Sequence, residues 1–141
     1  MLIKLLAGIY VKLNRPDRAE ALYSWAADKF ERNPKTDILQ LSTLYSDMAS
    51  FFRERGYPGD YEKAKIYYQK TEQGMKQIYG DKPHPEMAAF YDEYALLYDN
   101  MGKYSEALSL LQKALEIKQK TLKERASGYC SILWKHRTNL L

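Results

Sequence analysis

Three copies of one helical pattern, in phase along the chain, restrict the fold more than any other feature of this sequence. The clearest copy runs from His84 to Leu122. In it, Tyr91, Tyr94, Ala95, Tyr98 and Met101 recur at spacings of three and four, which keeps them on one face of a helix. Tyr104, Ala107, Leu108, Leu111, Ala114, Leu115 and Leu122 follow the same period on a second helix. Between the two lies Asn100-Met101-Gly102-Lys103, where Gly102 can take the left-handed conformation that ends a helix. Ala95, Ala107 and Ala114 are small enough to let the helices pack side by side. A lone hairpin of this kind cannot bury its apolar face, so copies should lie beside it.

Twelve residues separate Ala95 from Ala107, and twelve separate Ala7 from Ala19. Leu6-Ala7, Tyr10, Asn14, Pro16, Ala19, Tyr23 and Ala26 stand at the offsets of Tyr94-Ala95, Tyr98, Gly102, Tyr104, Ala107, Leu111 and Ala114. The middle copy reads Tyr45, Met48-Ala49, Phe52, Gly56, Ala64, Tyr68 and Thr71, with three extra residues absorbed in the loop Gly56-Tyr57-Pro58-Gly59. Ala19, Ala64 and Ala107 are 45 and 43 residues apart, a period of about 42 to 43 once the insertion is removed.

This pattern resembles the tetratricopeptide repeat (TPR) family over roughly residues 2 to 122. The family signature combines a large residue, a Leu-Gly-like or Leu-Ala-like pair, an aromatic, a turn Gly and a small-aromatic-small set on the second helix. Tyr91, Tyr94-Ala95, Tyr98, Gly102, Ala107, Leu111 and Ala114 occupy those positions. The long period and the connector Tyr79-Gly80-Asp81-Lys82-Pro83-His84-Pro85-Glu86 look like the longer repeats of kinesin light chains. Two departures stand out: Asn14 replaces the turn Gly in the first copy, and the fourth copy stops after one helix. The resemblance implies an all-α, right-handed superhelix of three hairpins plus a C-terminal capping helix, acting as a protein-binding scaffold.

A single domain over 1–141 is expected, with repeats at 2–32, 37–80 and 85–123 and the capping helix at 128–140. Helices should run from Leu2 to Leu13, Pro16 to Glu31, Asp37 to Arg55 and Asp60 to Tyr79, followed by the pair already described. Pro16 opens its helix, since the first turn needs no amide hydrogen there. Gly74 falls inside the fourth helix, at a cost of about 1 kcal/mol relative to Ala, as a close helix crossing would explain. Ala126-Ser127-Gly128 should break the sixth, so that a seventh lies over its apolar outer side. The chain also opens within a repeat and without a polar cap, which suggests a longer parent or a first helix that docks on something else.

The 45% hydrophobic content and 13 tyrosines suit an interior of aromatic rings whose hydroxyls reach the surface. A single cysteine, Cys130, excludes an internal disulfide framework and fits a reducing compartment, hence a cytoplasmic location. The opening Met1 to Val11, apolar and basic, admits a second reading as a mitochondrial presequence, but Ala7 and Tyr10 already serve repeat positions. No stretch approaches a membrane span. From Lys113 onward seven Lys/Arg face only Glu116 and Glu124, while the preceding 112 residues hold 15 basic against 16 acidic. That basic end is either a solvated face or a contact for RNA or an acidic partner surface.

No constellation of catalytic groups is apparent, so no enzyme, cofactor or metal is expected. His84 belongs to the His-Pro connector, and Cys130 with His136 lacks the four ligands of a zinc site. The inner surface remains. The family's groove positions fall on Lys4, Leu5, Gly8, Val11 and Lys12, on Thr43, Ser46, Asp47, Ser50 and Arg53, and on Ala89, Asp92, Glu93, Leu96, Asp99 and Asn100. Of these, Lys4, Lys12, Asp47, Ser50, Arg53, Asp92, Glu93, Leu96, Asp99 and Asn100 are the candidate partner-binding residues. Some family members clamp a C-terminal carboxylate with Lys, Asn, Lys and Arg. Lys4 matches one such position, but Gly8, Asp47, Ala89 and Glu93 hold the others, against that ligand. Basic at Lys4 and Lys12, acidic at Asp47, Asp92, Glu93 and Asp99, the groove should orient a peptide or helix with a basic segment, such as one belonging to a larger assembly.

Overall fold

The computed structural model describes the backbone of residues 2–139 and the side chains of residues 2–126. Six helices follow one another: α1 (Leu2–Lys12), α2 (Pro16–Arg32), α3 (Ile38–Arg55), α4 (Asp60–Tyr79), α5 (Pro85–Asn100) and α6 (Tyr104–Asn139). There is no strand among the described residues. Helices pack in consecutive pairs, α1 with α2, α3 with α4 and α5 with α6, and each pair rests on the next through α2–α3, α4–α5 and α3–α5 contacts. The architecture is an all-α stack of helical hairpins.

Local chemistry sets the helix ends. Pro16 stands in the first turn of α2, and Asp37 caps α3 by accepting from the Leu39 amide at 3.2 Å. His84 caps α5 through Nδ1, which accepts from the Glu86 amide at 3.2 Å while its ring stacks on Tyr79. Asn14 and Gly102 make the same turn in the first and third hairpins. Both have positive φ, 61° and 75°. In both, the following amide reaches back five residues, Arg15 to Tyr10 and Lys103 to Tyr98, each at 2.8 Å. Asn tolerates the left-handed conformation better than other side chains, which explains the departure at Asn14.

Ala7, Ala19, Ala49, Ala64, Ala95 and Ala107 are buried where helices cross, and aromatic rings fill the space between hairpins. Tyr23 of α2 meets Phe51 of α3 at 5.5 Å between centroids, and Tyr68 of α4 stacks on Tyr94 of α5 at 5.2 Å. Gly74 sits at the close crossing that its place inside α4 suggested. A Cβ built there would lie 1.9 Å from Ser42 Oγ of α3.

One expectation is corrected. α6 continues through Ala126-Ser127-Gly128 as a single helix of 36 residues. A helix that runs on cannot fold back over its own outer side, so there is no separate capping helix within 128–139; Leu140 lies outside the described residues. One glycine costs a helix only about 1 kcal/mol, and no proline accompanies it.

Candidate partner-binding groove

Successive first helices α1, α3 and α5 line one side of the stack. A cavity of about 340 Å³ opens there, and it gathers Lys4, Lys12, Asp47, Ser50, Arg53 and Glu93. Six of the ten expected residues, drawn from three hairpins, therefore share one site. Ala7, Tyr23 and Phe51 supply its apolar part.

A chain of polar contacts crosses the site. Arg53 Nε donates to the Tyr68 hydroxyl at 3.3 Å, and that hydroxyl lies 3.4 Å from Ser50 Oγ. Ser50 Oγ in turn donates to Glu93 Oε2 at 3.0 Å. With Tyr68 as donor to Ser50, every group in the chain has a partner and Glu93 is held from α5 by a hydroxyl on α3. The Tyr68 ring is fully buried beneath, and burial raises its phenol above the ordinary range, against the pull of Ser50 and Arg53. Tyr68 was not among the expected residues because its repeat position on the second helix marks it as packing.

Lys4 Nζ lies 3.3 Å from Asp47 Oδ1 and is itself largely exposed. Burial raises the Asp47 carboxyl above its usual value; Lys4 opposes that shift, and the charge of Glu93 adds to it. The cavity thus mixes three cations, Lys4, Lys12 and Arg53, with three anions, Asp47, Glu54 and Glu93.

The other four expected residues lie elsewhere. Asp92 accepts from Lys118 Nζ of α6 at 2.7 Å and lines a second cavity of about 390 Å³ with Ala88, Ala89, Thr121 and Arg125. Leu96, Asp99 and Asn100 are exposed on the later turns of α5 and line neither cavity. Among the described residues, no three His, Cys, Asp or Glu side chains gather as a metal site would need.

Stacked antiparallel hairpins with a side-chain-lined inner face define a helical-repeat domain. The tetratricopeptide repeat model matches residues 39–120, more than half of the sequence, and the chain belongs to that family. The matched span begins in α3 and ends in α6, leaving the α1–α2 hairpin outside it. Domains of this family generally mediate protein–protein interactions and are typically non-catalytic. No curated protein matches the chain. No described helix is long and apolar enough to cross a membrane.

Proposed function

We propose that the chain is a non-catalytic adaptor that takes a peptide or helical segment of a protein partner into the α1–α3–α5 groove, as a cytoplasmic subunit or assembly factor of a larger complex. The observation that carries this reading is the convergence of Lys4, Asp47, Ser50, Arg53 and Glu93 from three hairpins on one open cavity. Glu93, oriented by Ser50, is the natural acceptor for a basic side chain of the ligand, and Asp47 is the second. Apolar contact with Val11, which is exposed and lines the cavity, would supply affinity that exposed charge pairs lack.

An affinity capture from cell extract tests it, comparing the wild type with Glu93→Lys and Asp92→Lys at matched helicity. Glu93→Lys should lose a specific protein that Asp92→Lys retains, because only Glu93 faces the cavity. Capture of the same proteins by all three chains would overturn the groove assignment.

A second reading rests on a different surface. Lys76, Lys82, Lys113 and Lys120, outnumbering Asp81 and Glu116, line an open cavity of about 320 Å³ beside the α4–α5 connector. Such a basic cluster suits RNA or an acidic protein surface. Binding that falls steeply between low and moderate salt, and that survives Glu93→Lys, would favour it.

A further inference from the structure

The two ends of the helical stack expose the two halves of a junction that the chain already makes twice. Ala7, Ala49 and Ala95 are equivalent in the repeat, so Leu2, Leu6 and Ile9 of α1 correspond to Leu44, Met48 and Phe51 of α3 and to Phe90, Tyr94 and Leu97 of α5. In α3 and α5 all six are buried. The preceding hairpin covers them: Tyr23 reaches Phe51 at 5.5 Å, and Tyr68 reaches Phe90 at 6.1 Å and Tyr94 at 5.2 Å. In α1 the same positions are open, with Leu2, Leu6 and Ile9 exposed by 77%, 39% and 45%.

The opposite end shows the complement. Ala19, Ala64 and Ala107 are equivalent, which aligns Leu111 of α6 with Tyr23 and Tyr68. Those two tyrosines are 4% and 0% exposed because each inserts into the next hairpin, whereas Leu111 is 46% exposed. Leu108 and Leu115 flank it and are likewise exposed. Among the described residues, no second-helix knob covers the α1 stripe and no socket receives the α6 one. Solvation of either stripe is unfavourable by about 25 cal/mol per Å² of apolar surface.

From this we infer that a second copy of the chain docks head to tail, with Leu108, Leu111 and Leu115 of α6 seated on Leu2, Leu6 and Ile9 of the next copy's α1. The junction repeats α2–α3 and α4–α5 and continues the stack with the same step from hairpin to hairpin. The six stripe residues themselves are uncharged, with Lys4 and Lys12 flanking the α1 stripe. The contact joins two different surfaces, so it propagates into a ring or an open array rather than closing as a symmetric pair. It uses a different stripe of α1 from the groove, although Lys4, Gly8 and Lys12 line both the groove and the cavity over Leu2 and Ile9.

Sedimentation tests this with the wild type and two variants: Leu2→Glu/Ile9→Glu, which blocks the head, and Leu111→Glu/Leu115→Glu, which blocks the tail. All four residues are exposed, and circular dichroism checks that helicity is kept. Wild-type mass should rise with concentration beyond that of one chain. Each variant alone should stay monomeric, and their mixture should form a species of two chains and nothing larger, since one intact head meets one intact tail. A wild type that remains monomeric at the highest soluble concentration overturns the inference without reference to either variant. Self-association of either variant alone would mean that like surfaces meet, and would also overturn it.

Discussion

Arg55 and Asp60 hold each other through two parallel bonds, Nε to Oδ2 at 2.7 Å and Nη2 to Oδ1 at 2.9 Å, across the turn between α3 and α4. Asp60 is almost fully buried, and it also accepts from the Tyr57 amide at 3.0 Å. Arg55 Nη1 reaches Glu20 of α2 at 2.7 Å, and its guanidinium lies over the Tyr57 ring at 4.6 Å. One arginine thereby ties the first hairpin to the second.

Replacing Asp60 with Ala should destabilise the fold by about 3 kcal/mol, the lower end for breaking a buried pair, because Glu20 remains to hold Arg55. Urea denaturation measures this. The bond from Arg55 holds the Asp60 carboxyl below its ordinary range. A depressed carboxylate stabilises above its unfolded pKa of about 3.9, and that stabilisation disappears as pH falls through the folded value. Wild type and Asp60→Ala should therefore converge in stability at acid pH; a difference that persists undiminished there would refute the ion-pair account.

Gly74→Ala should destabilise even though alanine is the better helix former by about 1 kcal/mol. The new Cβ would meet Ser42 Oγ at 1.9 Å and Ser42 Cβ at 3.2 Å. The hydroxyl must swing away or the helices must part, for a net loss of about 1–2 kcal/mol. Ser42→Ala in the same chain should restore most of it. A double variant no more stable than Gly74→Ala would show that Ser42 is not the obstacle.

These two contacts mark where the sequence stops being legible. The hairpins follow from alanines twelve apart and from aromatic residues at helical spacing, because burial at a helix crossing dictates size directly. Which helix passes Gly74, and which acid meets Arg55, depend on how hairpins lean on each other. Glu20 is 35 positions from Arg55, and no periodicity links them. The groove was legible in part for a related reason. Asp92 and Glu93 are neighbours in sequence, but a single step turns a helix by about 100°. Glu93 consequently faces Ser50 while Asp92 turns to Lys118 of α6. The expected break at Gly128 gave one glycine more weight than its energetic cost supports.

Tyrosine burial makes the fold sensitive to alkali. Burial, aided by the charges of Asp47 and Glu54, pushes the Tyr23 phenol up to about 12. Burial with Glu72 does the same for Tyr91, also to about 12, and a bond to Glu86 does so for Tyr79. A raised phenol stabilises fully below its unfolded pKa of about 10, and that stability is lost as pH rises through the folded value. Helicity should therefore fall between about pH 10 and 12, in step with the rise of phenolate absorbance. Phenolate signal that saturates near pH 10 with helicity intact would contradict this.

Asp47→Asn separates stability from recognition. The carboxyl is raised by burial, so within the window above its unfolded pKa of about 3.9 the folded state binds more protons than the unfolded one. Stability contributed by Asp47 accordingly falls as pH rises through the folded value, and at neutral pH its charge opposes folding. The amide keeps the shape and can still accept from Lys4. Asp47→Asn should match or exceed the wild type at neutral pH by roughly 1 kcal/mol or less, an advantage that shrinks as the solution is acidified. Lys4→Met should do the opposite, since it leaves the carboxylate with its burial and without its cation. Paired urea titrations at neutral and acid pH read both effects. If Asp47→Asn proves less stable than wild type at neutral pH, its charge serves the fold. Equal or greater stability with weaker partner capture would assign that charge to the groove's ligand.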